Sequence, residues 1–572
     1  MKFLVKKNYI ILFLFILLFS TSHSSARDSQ IQYTRENFSN YFLGMISVNQ
    51  DYNKKAYKHL KKIQSLKDTH SQFNLEFIRT LVLLEKFEQA FVFSKSIWDE
   101  EELFFEADLL LGLNYFINED YVNAVKHFER LNKISRYNLV FDNFFGNVLI
   151  AWTKAAQGNK EGSFKFINKI PDLYNHLKKT QDIFLECYFD TNSTEQSIKK
   201  LIESKDYNFS RYNFFLINYL LSKNRAIEAK KIIQESRKKY SSNLLIQQTE
   251  NFFLNNESKK IGNFFSCKKP KDSLAEFFYV ISNLYSSEQD YRLSNFYLKI
   301  SLFLNKKFLA NKALLAENFY YQEKNEESKK IYNSLREIGP VYSWYASKNI
   351  AAILLKVKGK KYSVNSLEKD FKLLPNKNYI HYYELANFYK DNEYYKESIK
   401  YYSLALEKIK NDHFLIPKIL DRRGTSFERI GDWDNAEKDL IKSLKILPDQ
   451  PHVLNYLAYS WIDQGINLDR GLEMLKKAVK LRENDGYIID SLGWAYYAKK
   501  NYTKAEFFLQ QAVELMPTDP IINDHYADAL WMLNKDIQAR YFWNNILKLD
   551  DTEQELKDSI KKKLIFGIAR QL

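Results

Sequence analysis

An all-α superhelical solenoid, made by stacking helix-turn-helix units, is the fold class this sequence predicts. Three observations carry it. A small residue recurs every 34 positions, from Ala56 to Ala90 to Ala124, from Ser294 to Ser328, and from Gly471 to Ala505 to Ala539. Glycine and proline are scarce, 15 and 9 in 572 residues, which leaves little turn material for a many-stranded sheet. The length exceeds what one compact core holds, but suits an array in which each unit packs only on its neighbours. The apolar fraction, 45%, is ordinary, whereas 40 Tyr and 43 Phe are many. Rings of that size fill gaps between stacked helices, burying about 150–250 Å² each. A coding bias toward Lys, Asn, Tyr and Phe accounts for them equally well.

The chain opens with the pattern of a signal peptide over residues 1–26. Lys2, Lys6 and Lys7 form a basic start, Ile10 to Phe19 is an unbroken apolar run, and Ser24-Ser25-Ala26 supplies small residues for cleavage before Arg27. The run is shorter than the roughly 20 residues that span a bilayer as a helix. No Cys follows it to carry a lipid, so the expectation is an exported, periplasmic protein, at most peripheral to the envelope membranes. Removing 1–26 lowers the net charge from +15 to +12, and what remains is uneven: +14 over 27–380 and −2 over 381–572. The basic 27–380 region suits peripheral contact with an anionic membrane surface; lysine-rich composition alone explains it as well. Nucleic acid is not an expected partner, because no RGG, zinc-finger or comparable signature accompanies the charge. Cys187 and Cys267 stand eighty positions apart, more than two repeats, and two unpaired buried thiols are expected.

The units follow in order. Residues 27–135 hold the three N-terminal repeats marked by Ala56, Ala90 and Ala124. Residues 136–380 read as irregular helical repeats. Cleaner units stand near 210–240, in Leu216-Ile217-Asn218-Tyr219-Leu220 with Ala229, and near 275–340. The spacing slips over 136–205, where Leu149-Ile150-Ala151-Trp152 and Gly162 suggest a helical pair, and over 341–375. A regular C-terminal array occupies 381–551. Beyond it, 552–572 carries Leu556, Ile560, Leu564 and Ile568 at helical spacing, the pattern of a capping helix over the last repeat.

The cleanest unit is Asp490-Ser491-Leu492-Gly493-Trp494-Ala495-Tyr496-Tyr497, then Asn501-Tyr502-Thr503-Lys504-Ala505, closed by Leu509, Ala512 and Pro517. Gly and Ala sit where two helices cross at contact distance. Pro ends the second helix, since it lacks the amide and clashes with the preceding turn. The unit resembles the tetratricopeptide repeat (TPR). The stretch from 381 to about 550 further resembles TPR proteins exported by Gram-negative bacteria. Leu454-Asn455-Tyr456-Leu457-Ala458-Tyr459-Ser460-Trp461, Asp485 through Trp494, and Pro520-Ile521-Ile522-Asn523-Asp524-His525 carry that likeness. Relatives of this kind include lipoprotein adaptors that assemble a carboxy-terminal processing protease in the periplasm. This chain lacks their lipid-bearing Cys, and its N-terminal half matches only in TPR periodicity.

Catalytic signatures are missing. The nine His are scattered with no HExxH and no paired Cys, so no metal is expected. There is no GxSxG, P-loop or GxGxxG, and no cofactor is expected. The reading is a non-enzymatic scaffold that binds a protein or peptide. In a TPR the first helix of each pair lines the concave groove, and its positions 2, 5, 9 and 12 share one face. The candidates for the protein-binding groove are therefore Asn455 and Tyr459, then Tyr487, Asp490, Trp494 and Tyr497, then Asp524, Asp528 and Trp531. His452, Ile462 and Ile521 fall on the same face. Aromatic rings and carboxylates suit an extended or helical peptide with apolar and basic side chains, although the tyrosines are equally suited to packing on the next repeat. A clamp for a C-terminal carboxylate is rejected, because Asn387 stands where the clamp needs Asn but Tyr383 stands where it needs Lys. The same surface also suits a scaffold in envelope export or assembly, or an adaptor of a periplasmic protease or cell-wall hydrolase.

Overall fold

The computed structural model describes residues 34–135, 143–204, 209–240, 242–410 and 413–570. The leader expected at 1–26 lies outside them. Every regular element among the described residues is helical, with no strand, and none of those helices is long and apolar enough to cross a membrane. The chain divides into two compact units, one ending at Ala346 and one beginning at Ser347. That division precedes residue 381, where the regular array was expected to begin.

Helices pair into hairpins, and the turn within each pair has one signature: a residue with positive φ just past the first helix. Asp51, Glu85 and Glu119 carry it in the first repeats, and Gln289, Glu323, Glu393, Lys500 and Asn534 in later ones. Closing the first helix this way costs a residue other than Gly roughly 1–2 kcal/mol, so the repeated geometry is imposed by the pairing. Gly158, Asp190 and Gly359 (φ +77°, +55° and +85°) carry the turn through the two stretches where the spacing slips.

The small residues that set the period are the crossing points. Ala56, Ala90, Ala124, Ala229, Ala436, Ala505 and Ala539 have no exposed surface. At three positions serine stands instead, and its hydroxyl donates to a carbonyl twelve residues back on the facing helix. Ser294 bonds Ser282, Ser328 bonds Ala316 and Ser363 bonds Ala351, at 2.8, 2.8 and 2.5 Å. Ser363 thus supplies the crossing missing from 341–375. Within 136–205 the fully buried crossing residue is Ser163, one position from Gly162. On the first helices, Gly112 and Gly493 admit no side chain: a Cβ there would meet Phe128 at 2.3 Å and Leu509 at 2.6 Å.

In the N-terminal unit the array closes on itself. The helices Pro270–Ser287 and Tyr291–Leu304 pack against Ser71–Leu83 and Phe145–Ala156. Arg292 donates to Glu76 at 2.6 Å and lies 3.5 Å from Asp51, while Lys299 pairs with Glu85 at 2.5 Å. Phe87 stacks on Phe303 at 4.0 Å between centroids, and Phe145 meets Phe277, Phe278 and Tyr297. The aromatic surplus here is packing material. Closure also corrects the expectation of two unpaired thiols. Cys187 and Cys267 form a disulfide with Cα atoms 5.9 Å apart, because residues eighty positions apart along a straight array become neighbours when the array folds back.

The C-terminal unit is the regular one. Its first helices are Tyr379–Asp391, Ile416–Arg429, Pro451–Asp463, Gly486–Ala498 and Pro520–Met532. Their partners are Tyr395–Lys408, Trp433–Ile446, Leu468–Leu481, Tyr502–Leu515 and Asp536–Ile546. A continuous core runs from Ala458 through Leu475, Leu492, Leu509 and Leu530 to Trp543, and Ile560 of the terminal helix Gln554–Phe566 completes it with no exposed surface.

Candidate functional site

Successive first helices of the C-terminal unit touch one another more closely than successive second helices do, so the first helices line its inner curve. Their starts are fixed locally. Asp485 accepts from the Ile488 amide, Asp519 accepts from Ile521 and Ile522, and Pro451 and Pro520 occupy first turns where no amide is needed. Those caps set the rotation at which the inner-face residues emerge.

At the centre, Asp490 and His525 meet across two repeats. The imidazole Nδ1 lies 3.0 Å from both carboxylate oxygens, and both residues are buried. Burial works against the imidazolium, but Asp490 outweighs it and the pKa of His525 rises. Trp494 covers this pair. Its ring stacks on His525 at 4.1 Å and on Tyr497 at 4.6 Å, nearly parallel in both cases. Trp494 and Tyr497 are half-buried and keep part of their surface open. Burial, followed by Asp528, holds the Tyr497 phenol well above its ordinary pKa.

Upstream on the same surface stand Tyr459 and Asn455, both half-buried. Burial, then Asp463 and Asp490, pushes the Tyr459 hydroxyl up to about 12. The Asn455 side-chain oxygen is buried without a hydrogen-bond partner. Tyr487 is the most open of the predicted residues at 55% exposure. His452 and Ile521 are also exposed, but Ile462 belongs to the core at 3%. Further upstream, the Asn387 side-chain oxygen accepts from Tyr402 at 2.7 Å and Arg422 at 2.6 Å.

Downstream, Asp524, Asp528 and Trp531 come together beneath the chain's own C-terminus. The Lys563 ammonium lies 2.8–2.9 Å from all four oxygens of Asp524 and Asp528. Asp528 also accepts from the Trp543 indole at 3.1 Å. Its burial, then the adjacent Asp524, raises its carboxyl to about 7. The Trp531 indole N–H donates to the Ile568 carbonyl at 2.9 Å, the Arg570 guanidinium lies over the ring at 4.6 Å, and 8% of Trp531 is exposed.

The predicted residues therefore fall into an open surface, Asn455, Tyr459, Tyr487, Trp494 and Tyr497, and a covered end, Asp524, Asp528 and Trp531, with Asp490 buried between. Sequence reasoning did not single out His525, Lys563 or Arg570. His525 lay within the Pro520–His525 motif and was the available signal. Lys563 and Arg570 reach partners 39 residues or fewer upstream, and no local spacing marks such pairs. Among the described residues, no group of three or more His, Cys, Asp or Glu is placed to hold a metal.

Comparison with known proteins agrees with this geometry over part of the chain. The tetratricopeptide repeat family profile matches residues 488–519, the hairpin carrying Asp490, Trp494 and Tyr497. A TPR repeat-containing protein of Pseudomonas aeruginosa is 33% identical over 99 residues, 17% of each chain. The UDP-N-acetylglucosamine–peptide N-acetylglucosaminyltransferase of Giardia intestinalis is 29% identical over 136 residues, 22% of this chain and 9% of that protein. The chain thus spans under a fifth of either relative. Among solved structures, the C-terminal part of a TPR repeat-containing protein from Cytophaga hutchinsonii aligns with 43% of this chain and 97% of its own, at 16% identity and a TM-score of 0.32.

Proposed function

We propose that this chain is an exported, non-enzymatic scaffold of the bacterial envelope that holds a partner protein in the inner groove of its C-terminal TPR unit. One observation carries the reading: Trp494 and Tyr497, stacked with buried His525 over a buried carboxylate, keep part of their ring surface exposed on a first helix. Half-exposed aromatic rings held rigid by stacking are the surface that captures a partner's apolar side chains at low entropic cost. Half-buried Tyr459 and Asn455 extend it along the preceding first helix. The Cys187–Cys267 disulfide supports an oxidising compartment, as does the signal-peptide pattern. The likeness to exported TPR proteins favours an adaptor of a periplasmic protease or cell-wall hydrolase, or a scaffold in envelope export or assembly.

Affinity capture from envelope extract by the full mature chain tests this reading when run beside Trp494→Ala and Tyr459→Ala. A partner retained by the native chain and lost from both variants, with each variant still folded by circular dichroism and melting only modestly earlier, is the expected result. A partner retained equally by all three chains overturns the groove as the binding surface.

A further inference from the structure

We infer that Asp524, Asp528 and Trp531 form a receptor for a lysine-bearing amphipathic helix of a partner protein, and that the chain's own segment 554–570 occupies it in cis until such a helix displaces it. The inference rests on the proposed function and names the chemistry of the partner at one end of that groove.

A capping helix needs only an apolar face. Ile560 is fully buried and Leu556, Leu564 and Ile568 pack beside it, which suffices to cover the last repeat. The segment does more. Lys563 turns inward and sets its ammonium between two carboxylates whose side chains are only 12% and 8% exposed. A buried pair of this kind gains little over apolar packing, yet removing one partner strands the other. Its effect is to specify what may lie there: a cation, one residue before an aliphatic side chain and three after another. Without a lysine the site holds two adjacent desolvated carboxylates, which demand a positive charge.

Past the helix the chain becomes a strap. Gly567 has φ +68°, and a Cβ there would meet the Trp531 ring at 2.1 Å, so the backbone lies flat against the indole. The Ile568 carbonyl accepts from the indole, and Arg570 donates to the Trp531 carbonyl at 2.7 Å. Ile565 and Phe566, at 69% and 81% exposure, stand outward at the junction of helix and strap. The strap is short and terminal, held by Ile568 at the edge of the core and by the contacts of Arg570 with Trp531 and Asp536, the kind of segment that opens locally before the unit unfolds. Charge complementarity identifies the competitor: a helix with lysine at the place of Lys563 and aliphatic residues seven and three before it and one after, as Leu556, Ile560 and Leu564 stand here. A tethered segment acts at an effective concentration of about millimolar, so the cis occupant reduces the affinity of a free helix.

The experiment uses the full mature chain and a fluorescent peptide of sequence 554–570, with binding followed by anisotropy. Gly567→Ala forces the strap off Trp531 and leaves Lys563 in place. That variant is expected to bind the peptide at least about tenfold more tightly than the native chain. Adding Asp524→Asn and Asp528→Asn is expected to remove the gain, and the same peptide with Lys563→Glu is expected not to bind. A chain ended after Phe566 provides the same comparison if Gly567→Ala loses helical circular dichroism. Equal binding to native and loosened chains, or binding that survives neutralisation of both aspartates, overturns the inference. So does a concentration-dependent dimer of the loosened chain that excludes the peptide, since the occupant is then the C-terminus of a second copy. Failure here with partner capture still dependent on Trp494 leaves the proposed function standing. Peptide binding without Trp494-dependent capture removes the function and keeps the receptor.

Discussion

His525 and Asp490, thirty-five residues apart on neighbouring first helices, share a buried ion pair at 3.0 Å beneath the ring of Trp494. The pair ties two repeats together and sets the plane of the exposed stack, so its protonation couples the stability of the unit to pH.

His525 has a pKa raised in the folded chain, so its contribution is fully present below the unfolded value, about 6.5, and is lost as pH rises through the folded value. Asp528, raised to about 7, binds its proton more tightly when folded. Its contribution is present below its ordinary value and is lost as pH climbs toward 7. The groups facing this pair of sites are Asp490, Asp524, Lys563, Trp543 and Tyr497. The melting temperature of the C-terminal unit, followed by tryptophan fluorescence, is therefore expected to fall as pH rises from about 5 through 7, where Asp528 loses its proton, and on through the folded value of His525. Asp490→Asn is expected to flatten that slope and to cost roughly 1–3 kcal/mol. A melting temperature that rises over this interval contradicts the assignment.

The Cys187–Cys267 bond closes a loop spanning eighty residues of the N-terminal unit. Its removal is expected to cost roughly 2–4 kcal/mol, because the unfolded chain regains the entropy that the crosslink withholds. Reductant is expected to lower the melting temperature of the native chain and to leave a Cys187→Ser, Cys267→Ser chain unchanged. Alkylation of both cysteines in the untreated folded protein contradicts the pairing.

Address is a separate matter with a direct readout. The exported form is expected to begin at Arg27 and to fractionate with soluble periplasmic protein. Recovery of Met1 by N-terminal sequencing from the membrane pellet removes the proposal.

How much of this was legible beforehand follows from the range of the interactions. Ala56, Ala90, Ala124, Ala505 and Ala539 announced the helix crossings because a crossing constrains single positions at a fixed period. Ser163 and Ser363 were not recognised there, although Ser294 and Ser328 were, because the 34-residue spacing slips in both stretches and leaves no register from which to place them. Ser163 bonds the Asn159 carbonyl of its own helix and Ser363 the Ala351 carbonyl of the facing one. The disulfide, and ion pairs such as Lys299–Glu85, depend on how the N-terminal unit curves, a sum of small rotations over many repeats. The inner face of 486–532 was placed by helical period alone. What covered part of it was not, because Lys563 and Asp524 are brought together by a turn after the last repeat.

Overpacking separates crossing residues from surface ones. Ala505 has no exposed surface, and Gly493 would place a Cβ 2.6 Å from Leu509. Ala505→Trp is expected to destabilise the unit by more than the roughly 1–3 kcal/mol typical of added methylenes, and to lower helical circular dichroism. Tyr487→Trp, on the exposed face of the same hairpin, is expected to leave stability within about 0.5 kcal/mol. Equal melting temperatures for the two variants are incompatible with the crossing.

Trp494 and Trp531 stand one helical turn apart in register on the first helices of successive repeats, in different environments, and alanine replacements distinguish them. Trp494 is half-buried; it stacks on His525 and Tyr497 and packs on the edge of the core. Each such stack contributes about 0.5–1.5 kcal/mol, so Trp494→Ala is expected to lower stability modestly while abolishing partner capture. Trp531 is 8% exposed, packs on Trp543 at 5.3 Å, and anchors Ile568 and Arg570. Trp531→Ala leaves a cavity and releases the strap, and a loss of about 3–5 kcal/mol is expected. Asp524→Lys and Asp528→Lys belong with Trp531, since each reversal sets a second ammonium against buried Lys563 and is expected to lower the melting temperature as well as repel a basic helix. If Trp494→Ala melts as early as Trp531→Ala and still captures the partner when folded, the exposed stack is core and the binding surface lies elsewhere on the unit.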